Sequence, residues 1–158
     1  MTREAQPVAL WARVVTLCLS LVGLGLSIYL TIEHFGHSSL LVCPSNSVFN
    51  CGQVTTSAQS YVLGIPVAVL GLIGYCVLTA LNTPWAWRAK NYYVHVARFV
   101  LTIGSMAFVL WLICAELVII GYLCLYCTAV HAVTFALFVV MMRVGPTQLG
   151  KARLTTTE

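Results

Sequence analysis

Polar positions are so sparse along this chain that four long apolar runs stand out, Leu10–Phe35, Tyr61–Leu81, Val96–Tyr122 and Leu123–Val144. Each is close to or above the ~20 residues that an α-helix needs to cross a bilayer. The pattern predicts an all-α fold, an integral membrane bundle of four transmembrane helices over residues 1–145, followed by a short basic tail at 146–158. The first run is too long for a signal peptide, and its Ile32-Glu33 end offers no small-residue cleavage site, so it is expected to stay in the mature chain. Within it, Gly23, Gly25 and Ser27 are small enough to let another helix approach closely, as helix association in lipid requires. Glu33 and His34 close the run as interface anchors. Pro66 suits the first turn of the second helix, where its missing N–H costs no hydrogen bond. Trp85 and Trp87 mark the far end of that helix at headgroup level.

Composition moves the picture the same way. The chain is 60% hydrophobic and 8% charged, without one aspartate, whereas a soluble domain carries about 25% charged residues. All eight basic residues fall on one side of the expected bundle: Arg3 and Arg13, then Arg88, Lys90 and Arg98, then Arg143, Lys151 and Arg153. The alternate segments, Gly36–Ser60 and the turn near Gly121–Leu123, hold none. The positive-inside rule therefore places both termini and the Arg88 connection in the cytoplasm, and the alternate segments outside an inner (plasma) membrane. The lipid bilayer is the partner this composition implies; no nucleic acid is expected.

Four of the seven cysteines collect on the outer side. Cys124-Leu125-Tyr126-Cys127 opens the fourth helix; with a start near Leu123, the sulfurs lie one turn apart on nearly one face, and first-turn N–H groups point toward them. A helix N-terminus lowers a cysteine pKa below about 8.5 and favours the thiolate, the form that exchanges disulfides. The same spacing also binds metal. Cys43 and Cys51 lie in the first outer loop, in the turn sequences Cys43-Pro44 and Asn50-Cys51-Gly52, at a separation that suits a small disulfide loop. Such a bridge is a static staple or, beside a second cysteine pair, an electron shuttle. Cys18, Cys76 and Cys114 sit inside the apolar runs and are expected to pack as small hydrophobes. Glu116 is the one acid well inside a run; it is either a neutral acid bonded between helices or a proton relay, with the two readings evenly balanced. His131, four residues after Cys127, shares the face of the cysteine pair and suits hydrogen bonding to a carbonyl ligand or moving a proton.

The Cys43/Cys51 pair, the Cys51-to-Ser57 spacing, the Ser60-to-Pro66 entry and Cys124-Leu125-Tyr126-Cys127 together resemble the vitamin K epoxide reductase family, more closely its bacterial members, over nearly the whole bundle. The resemblance implies a membrane quinone of menaquinone or ubiquinone type as electron acceptor, and no metal. It implies catalytic Cys124 and Cys127 beside the quinone ring, with His131, Ser57, Ser60 and Glu116 around it. Cys43 and Cys51 would then carry electrons from a thioredoxin-fold partner. Three departures favour disulfide formation over epoxide reduction: the stretch from Cys51 to the second helix is shorter than in the animal enzymes, His131 stands in place of their tyrosine, and Ser60 in place of their ligand-binding asparagine. With only the short tail after the fourth helix, the partner is expected to be a separate, DsbA-like chain. The rival expectations are a vitamin K epoxide or quinone reductase and, in a different class, a cysteine-based membrane protein that binds zinc.

Overall fold

The computed structural model describes residues 10–36, 48–89 and 91–156, with side chains as far as residue 150. The first helix, α1 (Leu10–Gly36), inverts the pattern of a soluble helix. Its buried stripe is Ala12, Thr16, Ser20, Gly23, Ser27, Leu30 and Glu33, while Leu21, Val22, Ile28 and Ile32 face outward. Lipid tails are as apolar as leucine, so small and hydroxylated residues mark the contact face in a membrane. The hydroxyls cost nothing there because each bonds its own helix: Thr16 donates to the Ala12 carbonyl at 2.8 Å, Ser20 to Thr16 at 2.7 Å and Thr31 to Ser27 at 2.7 Å.

The second apolar run does not begin as a helix. Tyr61–Val62 (β1) and Ile65–Pro66 (β2) form an antiparallel hairpin in the register Tyr61 to Pro66 and Val62 to Ile65. Its turn residues Leu63 and Gly64 both have positive φ, 53° and 80°, the backbone of a two-residue hairpin turn whose twist matches its strands. The helix starts only at Val67, with Pro66 just before it and not in its first turn, and ends at Asn82. A short α2 (Cys51–Thr55) precedes the hairpin, so this helix is α3 (Val67–Asn82); α4 (Pro84–Trp87) follows, capped by the Thr83 hydroxyl on the Ala86 N–H at 3.3 Å.

The next helix, α5 (Tyr92–Cys114), is capped by Asn91 on the Tyr93 N–H at 2.9 Å and runs directly into a wider π-helical turn, Ala115–Ile120. That turn closes when the N–H of left-handed Gly121 donates to the Glu116 carbonyl at 2.9 Å. The last helix, α6, spans Leu125–Thr156, passing through Pro146 where the sequence pattern places the start of a tail. At Gly145 a Cβ would lie 2.6 Å from the Phe99 ring of α5, so that ring packs directly on the backbone of α6 just before Pro146, whose missing N–H forfeits a single hydrogen bond.

Helices α1, α3, α5 and α6 close a ring, each packed on two of the others. Among the described residues, three segments are long and apolar enough to cross a membrane: Leu10–Gly36, Tyr92–Ile120 and Leu125–Gly150. The second run supplies only the sixteen residues of α3, about 24 Å of helix. At the end remote from Cys124, buried Arg98 fastens α5 to α3 by donating Nε to the Leu81 carbonyl at 2.8 Å, and its guanidinium lies 3.8 Å from the Trp87 ring centroid. This answers a carbonyl left unpaired at a helix end and adds a cation–π contact. Trp85 is exposed as the sequence suggests, but Trp87 is buried beneath Arg98 instead of sitting at the surface.

Candidate functional site

Two backbone hydrogen bonds bring the cysteine segments together. Asn50 N–H donates to the Leu123 carbonyl at 3.1 Å and Leu123 N–H to the Val48 carbonyl at 2.9 Å, laying the end of the first loop parallel to the strand that enters α6. Asn50 then caps α2 through its side chain on the Gln53 N–H at 3.1 Å, which is the favoured residue type at that position. The consequence is a cluster of Cys51, Val54 and Cys124, ringed by Ile120, Tyr122, Tyr126 and Cys127. Cys51 is disulfide-bonded, and Cys124 and Cys127 are free thiols. Cys43 lies outside the described residues.

Cys124 is not the first residue of the last helix but the one before it. Its carbonyl accepts the Thr128 N–H at 2.9 Å and its sulfur accepts the Cys127 N–H at 3.4 Å, the role a serine or aspartate side chain plays at other helix starts. The Cys127 thiol, bonded to the Cys124 sulfur, draws the Cys124 thiol below its usual value; the Cys127 and Tyr126 N–H groups add to this, while burial and nearby Glu116 oppose it. Tyr126 packs against Tyr29 of α1 with ring centroids 4.9 Å apart and planes inclined at 49°, which pins the mouth of α6 to the first helix.

Beyond Cys127 a cavity of about 160 Å³ opens between the four long helices and the hairpin approach. Ser57, Ser60, Glu116, Cys127 and His131 all line it; Cys124, completely buried, does not. The two sulfurs stay in contact, as the sequence spacing expects, but they differ in surroundings: Cys124 is sealed within the Cys51 cluster, and Cys127, which also packs on that cluster, reaches the cavity wall. Ser57 and Ser60 spend their hydroxyl protons on the Val54 and Ser57 carbonyls, at 2.8 and 2.6 Å, and so offer the cavity acceptor lone pairs. His131, on the turn after Cys127, presents its ring to the cavity and is buried from outside. Glu116 reaches the wall from the π-helical turn, and the Cys124 backbone N–H bonds to its carboxyl.

Sequence reasoning missed two parts of this site and misplaced three cysteines outside it. Tyr75 lines the cavity and bonds Thr134 at 2.8 Å, and because Thr134 gives its own proton to the Val130 carbonyl at 2.9 Å, the tyrosine is the donor. A tyrosine and a threonine deep inside apolar runs were the available signal. His34, read as an anchor, also lines the cavity and bonds the Tyr61 hydroxyl at 3.0 Å. Cys18, Cys76 and Cys114 do not pack between helices: all three are exposed on helix flanks, where lipid tails would cover them and a thiol passes as a small hydrophobe. Among the described residues no three His, Cys, Asp or Glu side chains gather as a metal site would require.

Long apolar helices around a cavity, with one thiol of a free pair on its wall and a bonded cysteine packed against the other, give the architecture of a multi-pass membrane protein with a cysteine site. The chain matches the model of the vitamin K epoxide reductase family over residues 14–142, and it belongs to that family. Its general activity is thus thiol oxidoreduction linked to a quinone or its epoxide. A search of curated proteins found no match.

Proposed function

We propose that this protein makes disulfides: it oxidises a separate thioredoxin-fold protein on the side of the membrane that bears its cysteines and passes the electrons to a membrane quinone in the cavity. The observation that carries this reading is the two-sided placement of the thiol pair, with Cys124 against Cys51 and Cys127 on the cavity wall beside His131. A partner thiolate attacks the Cys43–Cys51 disulfide at Cys43, freeing Cys51, and Cys51 attacks Cys124 in an oxidised Cys124–Cys127 pair. Cys127 leaves as a thiolate facing the cavity. The cavity residues suit a quinone: apolar walls take its ring, His131 can donate to a carbonyl, and Ser57 and Ser60 accept. When bound there, a quinone accepts two electrons and two protons. The described basic residues Arg13, Arg88, Arg98 and Arg143 lie toward the end opposite Cys124, which supports a cytoplasmic location for that end and an extracytoplasmic one for the cysteines.

The test is quinone reduction by purified protein supplied with a reduced thioredoxin-fold donor, across Cys→Ala variants at all seven cysteines. Loss is expected at Cys43, Cys51, Cys124 and Cys127, and rates within a few-fold of wild type at lipid-facing Cys18, Cys76 and Cys114. Reduction of a quinone epoxide in preference to the quinone would replace this reading with that of an epoxide reductase.

A further inference from the structure

Forming the Cys124–Cys127 bond releases two electrons and two protons, and the acceptor in the cavity takes up two of each. Cys127 stands on the cavity wall, so its proton has an open route. Cys124 is fully buried and absent from that wall. Its proton needs a carrier, and the groups around it restrict the choice. Cys51 is disulfide-bonded, Val54 and Ile120 are apolar, Tyr126 acts on the sulfur through its backbone N–H, Tyr122 packs on the cluster without lining the cavity, and Cys127 has its own proton to deliver. Glu116 remains: its carboxyl accepts the Cys124 N–H, and it lines the cavity.

The backbone is built to put it there. In the π-helical turn Ala115–Ile120, Ala115 and Glu116 are buried while Leu117, Val118 and Ile119 point outward. A helix widened for one turn is uncommon and recurs at functional sites. The remaining titratable groups of the cavity wall have other positions or commitments. His34 on α1 bonds Tyr61 at the hairpin, Tyr75 on α3 donates to Thr134, and His131 on α6 stands on the far side of Cys127 from Cys124. Glu33, the other buried acid, acts on Tyr29 of its own helix and is not on the cavity wall.

We propose that Glu116 carries the Cys124 proton to the acceptor. The carboxyl gives its proton to an acceptor oxygen in the cavity and takes the Cys124 proton in its place, as the Cys124 sulfur bonds to that of Cys127. The electron pair leaves through Cys127, and Glu116 ends in the state in which it began. This inference rests on the quinone reading above.

Two measurements on Glu116→Gln and Glu116→Asp test it. The first needs no quinone: in infrared difference spectra between the dithiol and disulfide forms of the quinone-free protein, a carboxyl band should shift in wild type and vanish in Glu116→Gln. The second is single-turnover quinone reduction by pre-reduced protein as a function of pH. Glu116→Gln should be slower by about 10²-fold, the lower range for loss of a positioned acid–base group, with a pH profile that has lost one ionisation. Glu116→Asp should recover part of the rate and restore the profile. A wild-type rate and unchanged profile in a folded Glu116→Gln, or a carboxyl band indifferent to the thiol state, would overturn the proposal. Failure of wild type itself to reduce any quinone would instead overturn the function, with the infrared result still standing as a separate test.

Discussion

The sulfur of Cys124 does the work of a capping oxygen, accepting an N–H from the first turn of α6 while the Cys127 thiol bonds to it. The larger influence is the Cys127 thiol, which sets a direction for experiment. In a chain with Cys18, Cys76 and Cys114 replaced by Ala, ultraviolet absorption should show thiolate at Cys124 below the usual range of about 8.5. Replacing Cys127 with Ala removes the main cause, so the midpoint should rise; a midpoint that stays or falls would assign the effect to the helix terminus alone. The CxxC was legible from its spacing. Its division of labour was not, because Cys124 precedes the first helical residue and is covered by the loop segment bearing Cys51, which leaves Cys127 and His131 on the cavity wall. Glu116 stood out in the sequence as an acid among apolar residues, but which way it pointed depended on a wider turn that no residue pattern announced.

At the scale of helices and turns, the apolar runs were easy to find and their ends were not. Tyr61–Leu81 reads as one uninterrupted stretch, yet Leu63 takes a positive φ that leucine rarely adopts, and the first six residues become a hairpin. Apolar content locates a segment in lipid; the dihedrals that end a helix are set by packing and turn geometry. Small residues in α1 did signal a helix contact, and the structure divides them sharply. A Cβ on Gly23 would fall 1.9 Å from Tyr75 Cε1, whereas one on Gly25 meets nothing within 4 Å. The Tyr75 ring has little room to yield, since its hydroxyl is held by Thr134. Gly23→Ala should therefore destabilise the bundle by about 1–3 kcal/mol, the usual cost of overpacking, and Gly25→Ala should be neutral or slightly stabilising through helix propensity. Thermal unfolding in detergent compares them; equal melting temperatures would show that α1 and α3 are not in close contact at Gly23.

Across the whole molecule, charge and chemistry occupy opposite ends. The guanidinium of Arg98 ties α5 to α3 at one end, and the parallel backbone bridge of Phe49 with Leu123 holds the cysteine cluster at the other. If the basic end is cytoplasmic, a membrane-impermeant maleimide applied to intact, reduced cells should label Cys43 or Cys51; labelling only after permeabilisation would invert the topology. Electron transfer across the cysteine end is the central claim, and it depends on Cys51, not Cys43, meeting Cys124. The most direct measurement is mass spectrometry of non-reduced peptides from Cys127→Ser, in which the Cys124 thiolate can attack the Cys43–Cys51 disulfide at Cys51 and release Cys43, while no Cys127 thiolate is present to break the resulting link. The account predicts that a Cys51–Cys124 disulfide accumulates and turnover stops. A Cys43–Cys124 link, or Cys124 left unbonded in folded protein kept free of added thiol, would contradict it.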